Sequence, residues 1–189
     1  MVWLLAISYF CLKFVRYSLM SWLPFYLTKK LGYEPTMSGY LSALPELAGF
    51  SGAIFAGYVS DRLLGSRRAP VCALMCLGLA AACLLQTKLS LMGLVPMAIG
   101  LCVIHFMIYG PDSIMSGTAA MDFGTREGAA TAAGFINGVG SIGAALQGPI
   151  IGWVGDTYGQ SYFFYIFIPL SLVPFLLMLT QWNTRPKGN

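Results

Sequence analysis

Residues 89–111 read LSLMGLVPMAIGLCVIHFMIYGP, a stretch as long as a bilayer's hydrocarbon core is thick and without a formal charge. A run this long and rich in Leu, Met, Ile and Gly reads as a membrane-crossing helix, because in hydrocarbon the backbone satisfies its polar groups only within a helix or a closed barrel. The short alternating segments of a membrane barrel are not seen in it. Outward from this run the pattern repeats. Residues 69–87, 128–155 and 157–184 are uncharged over comparable lengths; 2–28 is interrupted by Lys13 and Arg16, and 38–60 by Glu46. We therefore expect an all-α, polytopic membrane protein of six helices, spanning about 2–28, 38–60, 69–87, 89–118, 129–154 and 161–182.

Composition agrees with that solvent. The chain has 189 residues, 57% hydrophobic and 10% charged, with a mean hydropathy of +0.72. An average soluble domain carries about 25% charge, so a water-soluble globule is excluded. The net charge of +4 comes from eleven basic residues scattered between apolar runs, which make no stripe for a phosphate backbone, so nucleic acid is not a partner. The five cysteines lie inside apolar runs and form no CxxC pair, the pattern of packing residues rather than of a disulfide framework. Cys72 and Cys76 sit one turn apart and would hold a metal only with a third ligand. The N-terminus lacks a basic n-region and reads as a span, not a cleaved signal.

Loop charge sets orientation. Arg62, Arg67, Arg68, Arg126, Arg185 and Lys187 follow even-numbered spans, against Lys29, Lys30 and Lys88 on the other side. The excess of basic residues predicts that both termini are cytoplasmic.

Charge inside the spans locates the chemistry. An Arg in mid-span costs about 3 kcal/mol or more and needs a compensating partner. Arg16 presents a planar, permanently charged fork that fits a phosphate or carboxylate; the alternatives are an ion pair with Glu46 or Asp112, or snorkelling to an interface. Lys13, three residues earlier and on the same side, adds a second positive charge or snorkels to an interface. Glu46 follows Pro45, and Asp112 follows Gly110 and Pro111, beside expected helix breaks. His105, Tyr109 and Asp112 share one face of the fourth helix, as a proton relay or as a satisfied core His beside a carboxylate paired with Arg16. In the fifth span GFINGVGSIG (134–143), the glycines Gly134, Gly138 and Gly143 have the spacing at which two helix backbones approach closely. No motif for a metal, a nucleotide or an enzymatic triad is present, so neither a cofactor nor enzyme chemistry is expected.

The second span ends in GYVSDRLLGSRR (57–68), in which Gly57, Asp61, Arg62, Gly65, Arg67 and Arg68 form a tight turn where acid and arginines pair with helix ends and neighbouring loops. This turn resembles the signature loop of the major facilitator superfamily, which occurs once in each six-helix half of those twelve-helix transporters, and implies a gating role. RYSLMSWLP (16–24), YLSALPE (40–46), YGP (109–111) and TAAGF (131–135) resemble the C-terminal half of the organophosphate:phosphate antiporters. The resemblance covers essentially the whole chain. It implies that Arg16 grips a substrate phosphoryl group, assisted by Lys13, while Glu46, His105, Tyr109 and Asp112 line the cavity. Asp112 departs from the apolar or amide residue that the resemblance leads one to expect. The implied activity is exchange of a phosphorylated metabolite for inorganic phosphate in the inner cell membrane. The implied partners are the lipid bilayer and an N-terminal six-helix half or a partner subunit. A sugar-phosphate receptor on the same scaffold, or a transporter of another organic anion, is the rival reading.

Overall fold

The computed structural model describes residues 2–29, 31–118, 126–159 and 162–184. Six α-helices are present among them: α1 (Val2–Lys29), α2 (Pro35–Tyr58), α3 (Arg68–Leu89), α4 (Leu94–Ser113), α5 (Arg126–Thr157) and α6 (Phe163–Leu179). Helix α3 continues through Leu89, so Ser90–Gly93, expected inside the fourth span, is the connecting turn. Gly93 makes that turn at φ 111°, where a side chain would be strained. Helices α1, α3, α4 and α5 are long and apolar enough to cross a bilayer. Helix α6 has 17 residues, and α2, which carries Glu46, is not among the long apolar set. Lys30, Arg185 and Lys187, used in the charge count, lie outside the described residues.

Hydroxyl groups in the apolar helices turn back onto their own backbone. Ser18 Oγ donates to the Phe14 carbonyl at 2.6 Å and Ser171 Oγ to the Phe167 carbonyl at 2.7 Å, which removes the cost of an unpaired polar group in a low-dielectric core. Neither Pro45 nor Pro111 interrupts its helix. The irregularity comes later, as single π-helical turns at Val59–Leu63 and Ile114–Thr118.

The helices pack as α1 with α5, α2 with α4, and α3 with α6; α3 also packs on α4 as α1 does on α6. These pairings are unchanged when α1–α3 are exchanged with α4–α6, so the bundle has an internal two-fold. The contacts follow it residue by residue. A Cβ at Gly143 of α5 would strike the carbonyl oxygen of Phe10 on α1, and a Cβ at Gly52 of α2 would strike the carbonyl oxygen of Phe106 on α4. One turn along, a Cβ at Gly140 would meet Tyr9 and Lys13, and one at Gly49 would come within 2.7 Å of the Tyr109 ring. A single register therefore carries Tyr9, Phe10, Lys13 and Arg16 onto His105, Phe106, Tyr109 and Asp112. The same relation carries Glu46, Gly49 and Gly52 onto Asn137, Gly140 and Gly143. Small residues at the two crossings let the backbones touch, which is the main attraction available between helices when lipid is as apolar as Leu.

Of the expected packing glycines, Gly143 makes such a crossing. Gly134 and Gly138 do not: a Cβ at either meets nothing within 4 Å. They lie on the exposed side of α5, whose buried strip runs instead through Ala132, Ile136, Gly140, Gly143 and Gln147.

Candidate functional site

Helices α1, α2 and α4 bring four of the expected site residues around Arg16. Its Nη1 donates to Asp112 Oδ2 at 2.7 Å, an ion pair, and its Nη2 to the Tyr109 hydroxyl oxygen at 3.1 Å. The guanidinium carbon also lies 4.2 Å from the centroid of the Tyr109 ring. The Tyr109 hydroxyl donates onward to Glu46 Oε2. His105 Nδ1 donates to the Leu101 carbonyl at 2.9 Å, and its Nε2 stands 3.8 Å from Glu46 Oε1, outside hydrogen-bond range. The result is a chain of polar groups, Asp112, Arg16, Tyr109, Glu46 and His105, threaded between three helices.

The choice left open for Arg16 between two carboxylates is thus settled in favour of Asp112, with Glu46 reached through Tyr109. The Asp112 side chain is 10% exposed and that of Arg16 is 28% exposed. The carboxylate is therefore the buried member, and the guanidinium keeps an open side. Asp112 Oδ1 is buried and has no hydrogen-bond partner among the described residues, so one oxygen of this ion pair has spare acceptor capacity.

Lys13 does not join this chain. Its Nζ donates to Asn137 Oδ1 at 3.4 Å and to Ser141 Oγ at 3.3 Å, both on α5, and it lies 4.9 Å from the centroid of the Tyr9 ring. Asn137 and Ser141 were not singled out from the sequence. Their spacing of one turn within a glycine-rich apolar span was the available signal, since polar side chains at that spacing share a helix face.

The arginine turn lies apart from these groups. The Leu64 amide donates to the Val59 carbonyl at 3.1 Å and the Ser66 amide to the Ser60 carbonyl at 2.8 Å, which closes the end of the helix. Gly65 at φ 57° and Ser66 at φ 62° supply the left-handed backbone that this closure needs. Asp61 and Arg62 are exposed, and Gly57 borders open space. Arg67 Nε donates to the Leu64 carbonyl at 3.2 Å, within its own turn; Arg68 begins α3. Cys72 and Cys76 are buried, and among the described residues no three His, Cys, Asp or Glu side chains are grouped to hold a metal.

Inverted three-helix units of this kind recur as internal repeats in membrane transporters. The sequence matches the Major Facilitator Superfamily over residues 5–188. The chain belongs to that family. Membership makes it a multi-pass membrane protein of a transport family rather than an enzyme. It is 34% identical over 188 residues to the glycerol-3-phosphate transporter of Bacillus subtilis (strain 168), a match covering 99% of this chain and 42% of that protein. It is 35% identical over 173 residues to sugar phosphate exchanger 3 of Bos taurus, with 88% and 34% covered. It is 30% identical over 193 residues to a probable hexose phosphate transport protein of Chlamydia pneumoniae, with 99% and 41% covered. The chain thus spans between a third and about two fifths of the length of these relatives. Among solved structures, the POT family transporter PepTSo superposes with a TM-score of 0.80 over 100% of this chain and 39% of that one, at 14% identity, a likeness of fold alone.

Proposed function

We propose that the chain is the C-terminal six-helix half of a transporter that carries a phosphorylated small metabolite, a sugar phosphate or glycerol 3-phosphate, against inorganic phosphate by alternating access. The observation that carries this reading is the partly open guanidinium of Arg16, held at mid-helix by Asp112 and Tyr109. A phosphoryl group matches the fork of an arginine with two parallel N–H···O bonds, and it takes the place beside the guanidinium that the Asp112 carboxylate fills. The relatives, a glycerol-3-phosphate transporter, a sugar phosphate exchanger and a probable hexose phosphate transport protein, support the substrate class. The substrate lies between this bundle and an N-terminal half, near the middle of an inner cell membrane, with both termini of this half cytoplasmic.

The test is the substitution Arg16→Lys, which keeps the charge and loses the fork. Binding of glycerol 3-phosphate and of inorganic phosphate by the reconstituted protein should each weaken by more than about tenfold while the melting temperature holds. Affinities near those of the wild type would remove Arg16 from the site and leave the reading without support from the structure. For the orientation, cysteines placed at Arg67 and Lys88, at opposite ends of α3, should label from opposite sides of the membrane, Arg67 from the cytoplasm. Labelling of both from one side would defeat it.

A further inference from the structure

The internal two-fold gives each site residue a counterpart against which it is measured. On α2, Ala43, Leu47 and Phe50 fill the exposed face beside Glu46. Their counterparts on α5 are Gly134, Gly138 and Ser141, beside Asn137. Helix α5 has therefore lost a methyl group, a Leu side chain and a phenyl ring relative to its twin, and a neutral amide replaces the carboxylate. Both glycines lie on the exposed face, and a Cβ at Gly134 or Gly138 meets no atom of the described residues within 4 Å.

The polar groups beside this bare face are incompletely used. Lys13 gives two of its three protons to Asn137 and Ser141, at distances near the long limit for N–H···O bonds. The Ser141 hydroxyl donates to the backbone carbonyl of Asn137 at 2.8 Å, while the Asn137 side-chain amide donates to nothing among the described residues. An ammonium with a spare proton, an amide with two free donors and a hydroxyl oxygen match the hydroxyl groups of a polyol. The twin arm, with a carboxylate and a phenyl ring in these places, offers neither the room nor the donors. Lys13 and Arg16 are three residues apart on α1, so the two lie about 5–6 Å from each other at Cβ, and a ligand anchored on one reaches the other within a few bonds.

We infer that Lys13, Asn137 and Ser141 form a second subsite, over Gly138, that takes the hydroxylated carbon skeleton of a phosphoester whose phosphoryl group sits on Arg16. Asn137 and Ser141 then decide between the ester and inorganic phosphate, while Arg16 serves both. This rests on the phosphoester reading given above.

The experiment compares glycerol 3-phosphate with inorganic phosphate, by calorimetric binding to the reconstituted full-length protein. Asn137→Ala should weaken the ester about tenfold and change inorganic phosphate by less than about twofold. Ser141→Ala should act in the same direction and carries the test if Asn137→Ala does not fold. Gly138→Leu, which gives α5 the side chain its twin has at Leu47, should exclude the ester and retain inorganic phosphate. Equal losses for both ligands would show that these residues only position Lys13 or meet another part of the protein, and an unchanged ester affinity would show that this face is empty of substrate. Either overturns the inference and leaves the phosphoester reading standing. A wild-type protein that binds neither anion overturns that reading, and the inference with it.

Discussion

The α1–α5 arm and the α4–α2 arm are built on one plan and carry opposite chemistry. At each crossing a glycine rests on the carbonyl of a phenylalanine, Gly143 on Phe10 and Gly52 on Phe106, and the following turn presents a polar side chain to the partner helix. In one arm that side chain is Lys13, directed to Asn137; in the other it is Tyr109, directed to Glu46. One turn further, the counterparts Arg16 and Asp112 meet each other across the axis. The shared part is backbone contact, which tolerates no side chain. The part that differs is side-chain charge, which the backbone plan leaves free. Such a division lets one scaffold hold a cationic arm and an acidic arm, joined where Arg16 meets Asp112.

The comparison is broken most easily at the crossings. Gly52→Ala and Gly143→Ala each push a methyl group into a carbonyl oxygen of the facing helix, and each should cost about 3 kcal/mol of stability, read as a lowered thermal midpoint in detergent. The two losses should be alike. A marked loss at one and tolerance at the other would mean that the arms are not equivalent.

A smaller effect is expected at the axis. Asp112→Asn leaves a hydrogen-bonding group of the same shape beside Arg16 but removes the charge that competes with an incoming oxyanion. Inorganic phosphate should bind about tenfold more tightly, about 1.4 kcal/mol, to a protein that remains folded. Weaker binding would mean that Asp112 orients Arg16 for the ligand rather than standing in for it.

The smallest effect sharpens the contrast between the outer faces. Gly134 borders open space where its counterpart is Ala43, so Gly134→Ala should raise stability by about 0.5–1 kcal/mol through the lower entropy of the unfolded helix. A destabilised variant would show that this face is covered by another part of the protein.

Much of the bundle was legible beforehand, and for a local reason. Whether a run such as 89–111 crosses the membrane depends on its own transfer free energy, so apolarity and length place helices without reference to the rest of the chain. Boundaries were less legible: hydropathy does not register Ser90–Gly93 as a turn, because Leu91 and Met92 are as apolar as the helices on either side. In the site, the shared face of His105, Tyr109 and Asp112 follows from helical spacing alone, and Arg16 stood out because a guanidinium at mid-span requires compensation.

Partnership across helices was a different matter. Sequence alone sufficed for a helical bundle in a bilayer, for charge inside its first, second and fourth spans, and for a fifth span rich in small residues. It took the packed bundle to show that Arg16 pairs with Asp112 rather than Glu46, that Lys13 turns to Asn137 and Ser141, and that Gly143 closes a helix crossing while Gly134 and Gly138 face outward. The reason is that a buried charge or a missing Cβ fixes what a residue needs, and helical periodicity fixes which way it points along its own helix. Which helix stands opposite is set by the packing of all six.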